Sequence, residues 1–111
     1  MTGKKLNCDI EFSENDGIKI SINQSKSFIQ MDDEKIILNF NDQSSIILDA
    51  TGVTINSTKN INASANQNIA LAANAGLTVN CGGTKIDCQA GGLDMNSSGP
   101  IKLKGGEIHL N

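Results

Sequence analysis

From Ile46 to the last residues, the chain repeats an apolar-x-apolar pair about every eight residues. The pairs are Ile46/Leu48, Val53/Ile55, Ile61/Ala63, Ile69/Leu71, Leu77/Val79, Ile86/Cys88, Leu93/Met95, Ile101/Leu103 and Ile108/Leu110, with starts 7, 8, 8, 8, 9, 7, 8 and 7 residues apart. Residues i and i+2 of a strand share a face, so each pair points the same way. Between the two members stand Ile47, Thr54, Asn62, Ala70, Thr78, Asp87, Asp94, Lys102 and His109, of which seven of nine are polar. The pattern predicts a series of short β-strands with one apolar and one wet face.

A second periodicity runs in phase with the first. Counting in eights from Gly52 gives Gly52, Asn60, Asn68, Gly76, Thr84, Gly92 and Pro100. Gly and Asn tolerate left-handed backbone, and Pro fixes a turn while removing a donor. A corner residue therefore precedes almost every strand, which is the signature of a repeat architecture. The slips near Gly82–Ile86 and before Ile108 are where this register is least regular.

Ahead of the repeat, residues 9 to 40 read as a β-meander. Candidate strands are Asp9–Phe12, Ile18–Ile22, Ser27–Met31 and Lys35–Phe40. Between them lie Glu14-Asn15-Asp16-Gly17, Asn23-Gln24-Ser25-Lys26 and Asp32-Asp33-Glu34, all rich in turn formers. The expected organisation is all-β, with residues 1–45 as a meander or neck and residues 46–111 as an octad-repeat β-helix.

Composition decides how that β-helix is built. The 111 residues are 38% hydrophobic and 3% aromatic, with no Trp or Tyr, so one copy has little from which to make a compact core. Nine strands wound as a single-chain triangular solenoid would give three coils, roughly 14 Å tall, with two open ends. Three chains each giving one side of every layer would make nine layers, on the order of 40 Å tall, around a narrow aliphatic column. The expected fold is therefore a meander leading into an intertwined trimeric, triple-stranded β-helix. Its core would be the eighteen paired residues given above.

The stretch Ser44-Ser45-Ile46-Ile47-Leu48-Asp49-Ala50-Thr51-Gly52-Val53-Thr54-Ile55, followed by Ile-x-Ala and Ile-x-Leu octads, resembles the needle of contractile-injection spikes. These are the VgrG proteins of type VI secretion and the central spike proteins of phage tails. The resemblance spans residues 27 to 111 and is best from 46 onward. It implies a homotrimeric needle at the tip of a contractile tube, driven through a target envelope. Its implied partners are a PAAR-repeat tip protein at the C-terminal end and tube or hub proteins at the N-terminal end. In this family hub and OB-fold domains commonly precede the needle, whereas about 45 residues precede the octads here. The flat end formed by Ile108, His109, Leu110 and Asn111 is the expected docking place for the tip protein. The chain would be cytoplasmic before firing, or part of a virion tail. The alternative is a monomeric β-solenoid acting as a surface-binding or adhesin module. An ice-binding wall would need an array of outward Thr, and only Thr54 and Thr78 qualify.

No catalytic set is expected, and no cofactor. His109 is the one histidine, and the sequence picks out no Ser-His-Asp or Cys-His set around it. Related phage spikes bind metal through an H-x-H pair, whereas this window reads Ile108-His109-Leu110. The apolar register turns His109 outward, while a strict eight-residue count from Ile101 turns it inward. The apolar register is preferred, which makes His109 only a weak metal candidate. Asp32-Asp33-Glu34 reads as a solvated turn, Asp87 and Asp94 as surface charge, and Gly82-Gly83 and Gly105-Gly106 as corners. Cys8, Cys81 and Cys88 are odd in number and match no zinc spacing, so they read as small buried or half-buried thiols in a reducing compartment. The net charge is −3 and every basic residue is Lys, which argues against a nucleic-acid partner. The opening MTGKKLNCDI has no apolar stretch of signal-peptide type, and the N-x-S/T triplets then read as chance.

Overall fold

The computed structural model describes residues 7–15, 17–22 and 25–111. It divides into two units, Met1–Ala70 and Leu71–Asn111. The described residues are all-β, without helix. The first unit holds one six-stranded open sheet in which every strand pairs with the next, antiparallel throughout: β1 (Cys8–Ser13), β2 (Gly17–Ile22), β3 (Phe28–Met31), β4 (Lys35–Phe40), β5 (Ser44–Asp49) and β6 (Gly52–Ser57). The first four match the expected meander to within a residue at most ends. The turn readings at Asp16 and at Asn23-Gln24 lie outside the described residues.

Local chemistry sets each reversal. After β3, Asp32 Oδ1 accepts from the N–H of Glu34 (2.8 Å) and of Lys35 (2.9 Å), and Asp32 N donates to Lys35 O (3.0 Å). After β4, Asn41 and Asp42 both take positive φ (50° and 58°), and Gln43 N donates to Phe40 O at 2.8 Å. Asn and Asp are the side-chain-bearing residues that bear this conformation best. That turn is tied to the one before β3: Asn39 Nδ2 donates to Lys26 O (2.7 Å), and Lys26 N donates to Asn41 Oδ1 (3.3 Å). After β5, Asp49 Oδ1 accepts from Thr51 N (2.9 Å) and Thr51 Oγ1 (2.6 Å), and Gly52 follows at φ 134°. Asp49 then stands opposite Gly52 across a two-residue loop.

This last reversal bears on the repeat. The first two apolar pairs, Ile46/Leu48 and Val53/Ile55, lie in β5 and β6 and face each other in the antiparallel sheet. Beyond β6 no strand is assigned among the described residues. From residue 59 to residue 111 the backbone bond among described residues is Gly92 N to Gln89 O, at 3.0 Å. A strand is defined by a neighbour, and among the described residues of one copy these octads have none.

Register fixes which side chains share a face. Two rows cross the whole sheet: Ile10–Ile20–Ile29–Leu38–Ile46–Ile55 and Phe12–Ile18–Met31–Ile36–Leu48–Val53. The opposite face carries Asp9, Glu11, Lys19, Lys35 and Asp49 with Ser, Gln, Asn and Thr, and with Phe28, Ile37 and Ile47, which are half-buried. Lys19 Nζ lies 4.7 Å from the centre of the Phe28 ring there, a cation–π contact. All charges of the paired positions thus fall on one side and none on the other.

Candidate functional site

A sheet normally buries its apolar face against a second layer. Nothing among the described residues of the first unit covers that face. Among the described residues no hydrophobic side chain is buried. In the two rows Ile46 is 37% exposed, Ile55 56% and Phe12 76%. The chain presents 10954 Å² to solvent, where a compact monomer of 11.7 kDa would present about 5,900 Å². The excess is on the order of 5,000 Å², the scale of an obligate interface. A hollow of about 410 Å³ opens where Ile29, Leu38, Phe40, Ile46, Ile55 and Ile61 come together.

The structure splits the expected core between two settings. Ile46, Leu48, Val53 and Ile55 lie on the apolar face of the sheet, held in ladder register. Ile61, Ala63, Ile69, Leu71, Leu77, Val79, Ile86, Cys88, Leu93, Met95, Ile101, Leu103, Ile108 and Leu110 lie in the segment without strands, and all are exposed. Sequence reasoning missed that Ile10/Phe12, Ile18/Ile20, Ile29/Met31 and Ile36/Leu38 are pairs of the same kind on the same face. The signal was the apolar-x-apolar doublet itself. Its spacing, 8, 11, 7 and 10 residues from Ile10 to Ile46, hid it from a search for period eight.

At the far end, Ile108, His109, Leu110 and Asn111 are all exposed, Leu110 at 89%. His109 Nε2 lies 2.9 Å from Glu107 Oε2. The two polar side chains therefore meet on one side of the segment, as i and i+2 do in extended chain. No group of three or more His, Cys, Asp or Glu able to hold a metal occurs among the described residues.

The remaining polar groups serve local structure. Asp32, Asp33 and Glu34 help line an open acidic hollow of about 630 Å³ with Ser13, Glu14 and Asn15. Within it Asp32 already caps its own turn. The N–H groups of Glu34 and then Lys35 hold its carboxyl below the usual carboxylate value. Asp49 is likewise lowered, first by the Thr51 hydroxyl and then by the Thr51 N–H. Cys8, Cys81 and Cys88 are free and, in this single chain, exposed rather than buried or half-buried as expected, with Cys81 Sγ 2.8 Å from Thr84 Oγ1.

No family model matches the chain, and no curated protein matches it in sequence.

Proposed function

We propose that this chain is a structural needle protein: a homotrimeric, membrane-puncturing spike of a contractile injection machine, of the VgrG or phage-tail central spike kind. The observation that carries the reading is the missing cover. Every apolar pair from Ile10 to Leu110 is exposed, and among the described residues the segment after β6 has almost no backbone partner in its own chain. Fixing one residue's backbone costs about 1–2 kcal/mol, so holding some fifty residues extended costs on the order of tens of kcal/mol. Ladders to other copies and burial of the octad pairs would offset that cost. In the proposed needle the octads of three chains close into a triple-stranded β-helix with Ile61 through Leu110 turned toward the axis.

Function then follows from stiffness. Interchain ladders and a filled apolar column resist axial buckling, and intertwined chains do not unravel separately. The needle would meet tube or hub proteins at its N-terminal side and a PAAR-repeat tip at Ile108–Asn111. It would touch the target envelope only in passing. It would act without catalysis or cofactor, from the cytoplasm before firing or from a virion tail. A monomeric β-solenoid, as an adhesin or surface-binding module, is the competing reading. It requires coil-to-coil ladders within one chain, and the described residues after β6 form none.

Solution mass by light scattering tests the proposal, together with electrophoresis in SDS with and without boiling. Three chains per particle and a band that needs boiling to collapse are expected. A single-chain mass would overturn it.

A further inference from the structure

We infer that the apolar face of the β1–β6 sheet is where copies of this chain first meet, so that assembly begins at the meander and runs toward the octads. This rests on the homotrimer reading and adds which segment associates first.

One copy builds this face unaided. Each strand pairs with its sequence neighbour through a short reversal, so loop-closure cost is low and formation is local. The octads after β6 have no such ladder among the described residues of one copy. When separate chains collide, the face that already exists is the sheet's.

The occupant is a second copy of the same chain. None of the paired positions on this side carries a charge, while Asp9, Glu11, Lys19, Lys35 and Asp49 all stand on the other. A partner chosen by charge has nothing here to recognise, whereas an identical uncharged face matches it. The two rows hold twelve apolar side chains, and at roughly 100 Å² each they offer on the order of 1,000 Å² per copy. A stable interface takes about 800 Å² from each partner. The doublets of this face also continue, as sequence, into the octads, so meeting here sets the relative register of the chains before the octads close.

The test follows the whole chain as it refolds by dilution from urea, with pulsed hydrogen exchange beside time-resolved light scattering. Protection of β1 to β6 is expected no later than the rise to the three-chain mass, and protection of 61–110 afterwards. Octads protected first, or in the same phase, would overturn the inference. Ile29→Asp is expected to give single chains with unprotected octads at concentrations where Leu103→Asp is still trimeric. Asn56→Asp, on the other side of the sheet, is expected to leave the mass unchanged. Trimers of Ile29→Asp with protected octads would overturn the inference. Should Ile29→Asp fail to form the meander at all, the wild-type order of protection decides. A wild-type chain that never leaves the single-chain mass would instead bring down the homotrimer reading itself.

Discussion

Ile46 and Ile55 stand directly opposite each other across the β5–β6 pair, and both leave their side chains in solvent. A cross-strand Ile pair on the apolar face of a sheet ordinarily lies under a second layer. If other copies supply that layer, Ile46→Ala should cost about 2–5 kcal/mol per chain in the assembled protein, as for a buried aliphatic. The neighbouring Ile47→Ala, on the far face against Ile37, should cost no more than about 1 kcal/mol. Urea denaturation of the assembled particle, read by circular dichroism, measures both. Equal costs for the two would remove the distinction between the faces.

Gly17 opens β2 at φ +70°, and a Cβ there would run into the Met31 carbonyl and stand 2.8 Å from Asp32 Cα. Both obstacles are backbone, so neither can swing aside. Gly17→Ala should therefore destabilise the sheet by at least about 1–3 kcal/mol, since the φ is unfavourable and the space is filled. Gly52 also has positive φ, but nothing lies within 4 Å of its missing Cβ. Gly52→Ala should carry only the backbone part of the cost. Denaturation midpoints of the two variants, side by side, separate strain from clash.

Much of this was legible in the chain, for identifiable reasons. Ile18-Lys19-Ile20-Ser21-Ile22 alternates cleanly, and Asp32-Asp33-Glu34 reads as a turn because Asp accepts from N–H groups two and three residues on. The first four strands and the all-β class follow from such local signals. What was not legible is the direction of the step after β5. A seven-residue advance from Ile46 to Val53 suits both a hairpin return and an onward corner. Periodicity does not distinguish them; the Asp49–Thr51 hydrogen bonds and the φ of Gly52 do. The uncovered meander face was equally hidden, because hairpin loops of unequal length break the period that marks the octads.

The Asn41-Asp42 reversal places two side-chain-bearing residues at positive φ. Left-handed backbone costs an ordinary residue about 1–2 kcal/mol, and a β-branched residue is the worst occupant. Asn41→Val should lower stability by at least that amount and also remove the acceptor for Lys26 N. Asn41→Gly should keep the turn and lose only the Lys26 bond. Thermal unfolding of the three proteins ranks wild type and Gly together, well above Val.

The lowered carboxyl of Asp49 gives a pH dependence of known sign. Its ordinary value is 3.8, and in the folded chain the Thr51 hydroxyl and N–H hold it lower. The folded state thus binds a proton less readily than the unfolded one, so the bond to Thr51 contributes its full stability above pH 3.8. That contribution fades as pH falls below this value, through the lower folded-state value. Asp32, lowered by the N–H groups of Glu34 and Lys35, behaves alike. Between neutral pH and pH 5, unfolding midpoints should be insensitive to both groups, and below pH 4 they should drop. Asp49→Asn should flatten part of that drop. A chain whose stability instead rises on acidification would contradict the hydrogen-bonded state of both carboxylates.

Glu107 and His109 meet on one side of the last octad, while Ile108 and Leu110 alternate with them along the chain. Both partners are solvent-exposed, and exposed ion pairs contribute little to stability. His109→Ala should therefore leave the unfolding midpoint and the metal content of the purified particle unchanged. Leu110→Asp should act differently: if the Ile108–Asn111 end receives a tip protein, a charge in place of that side chain should weaken capture of the tip without changing the number of chains per particle. Mass spectrometry of the intact particle reads chain number and bound tip, elemental analysis of the same sample reads the metal, and thermal unfolding reads the midpoint. Stoichiometric metal in wild type that disappears in His109→Ala would reverse the assignment of this end, making His109 a ligand turned toward the axis.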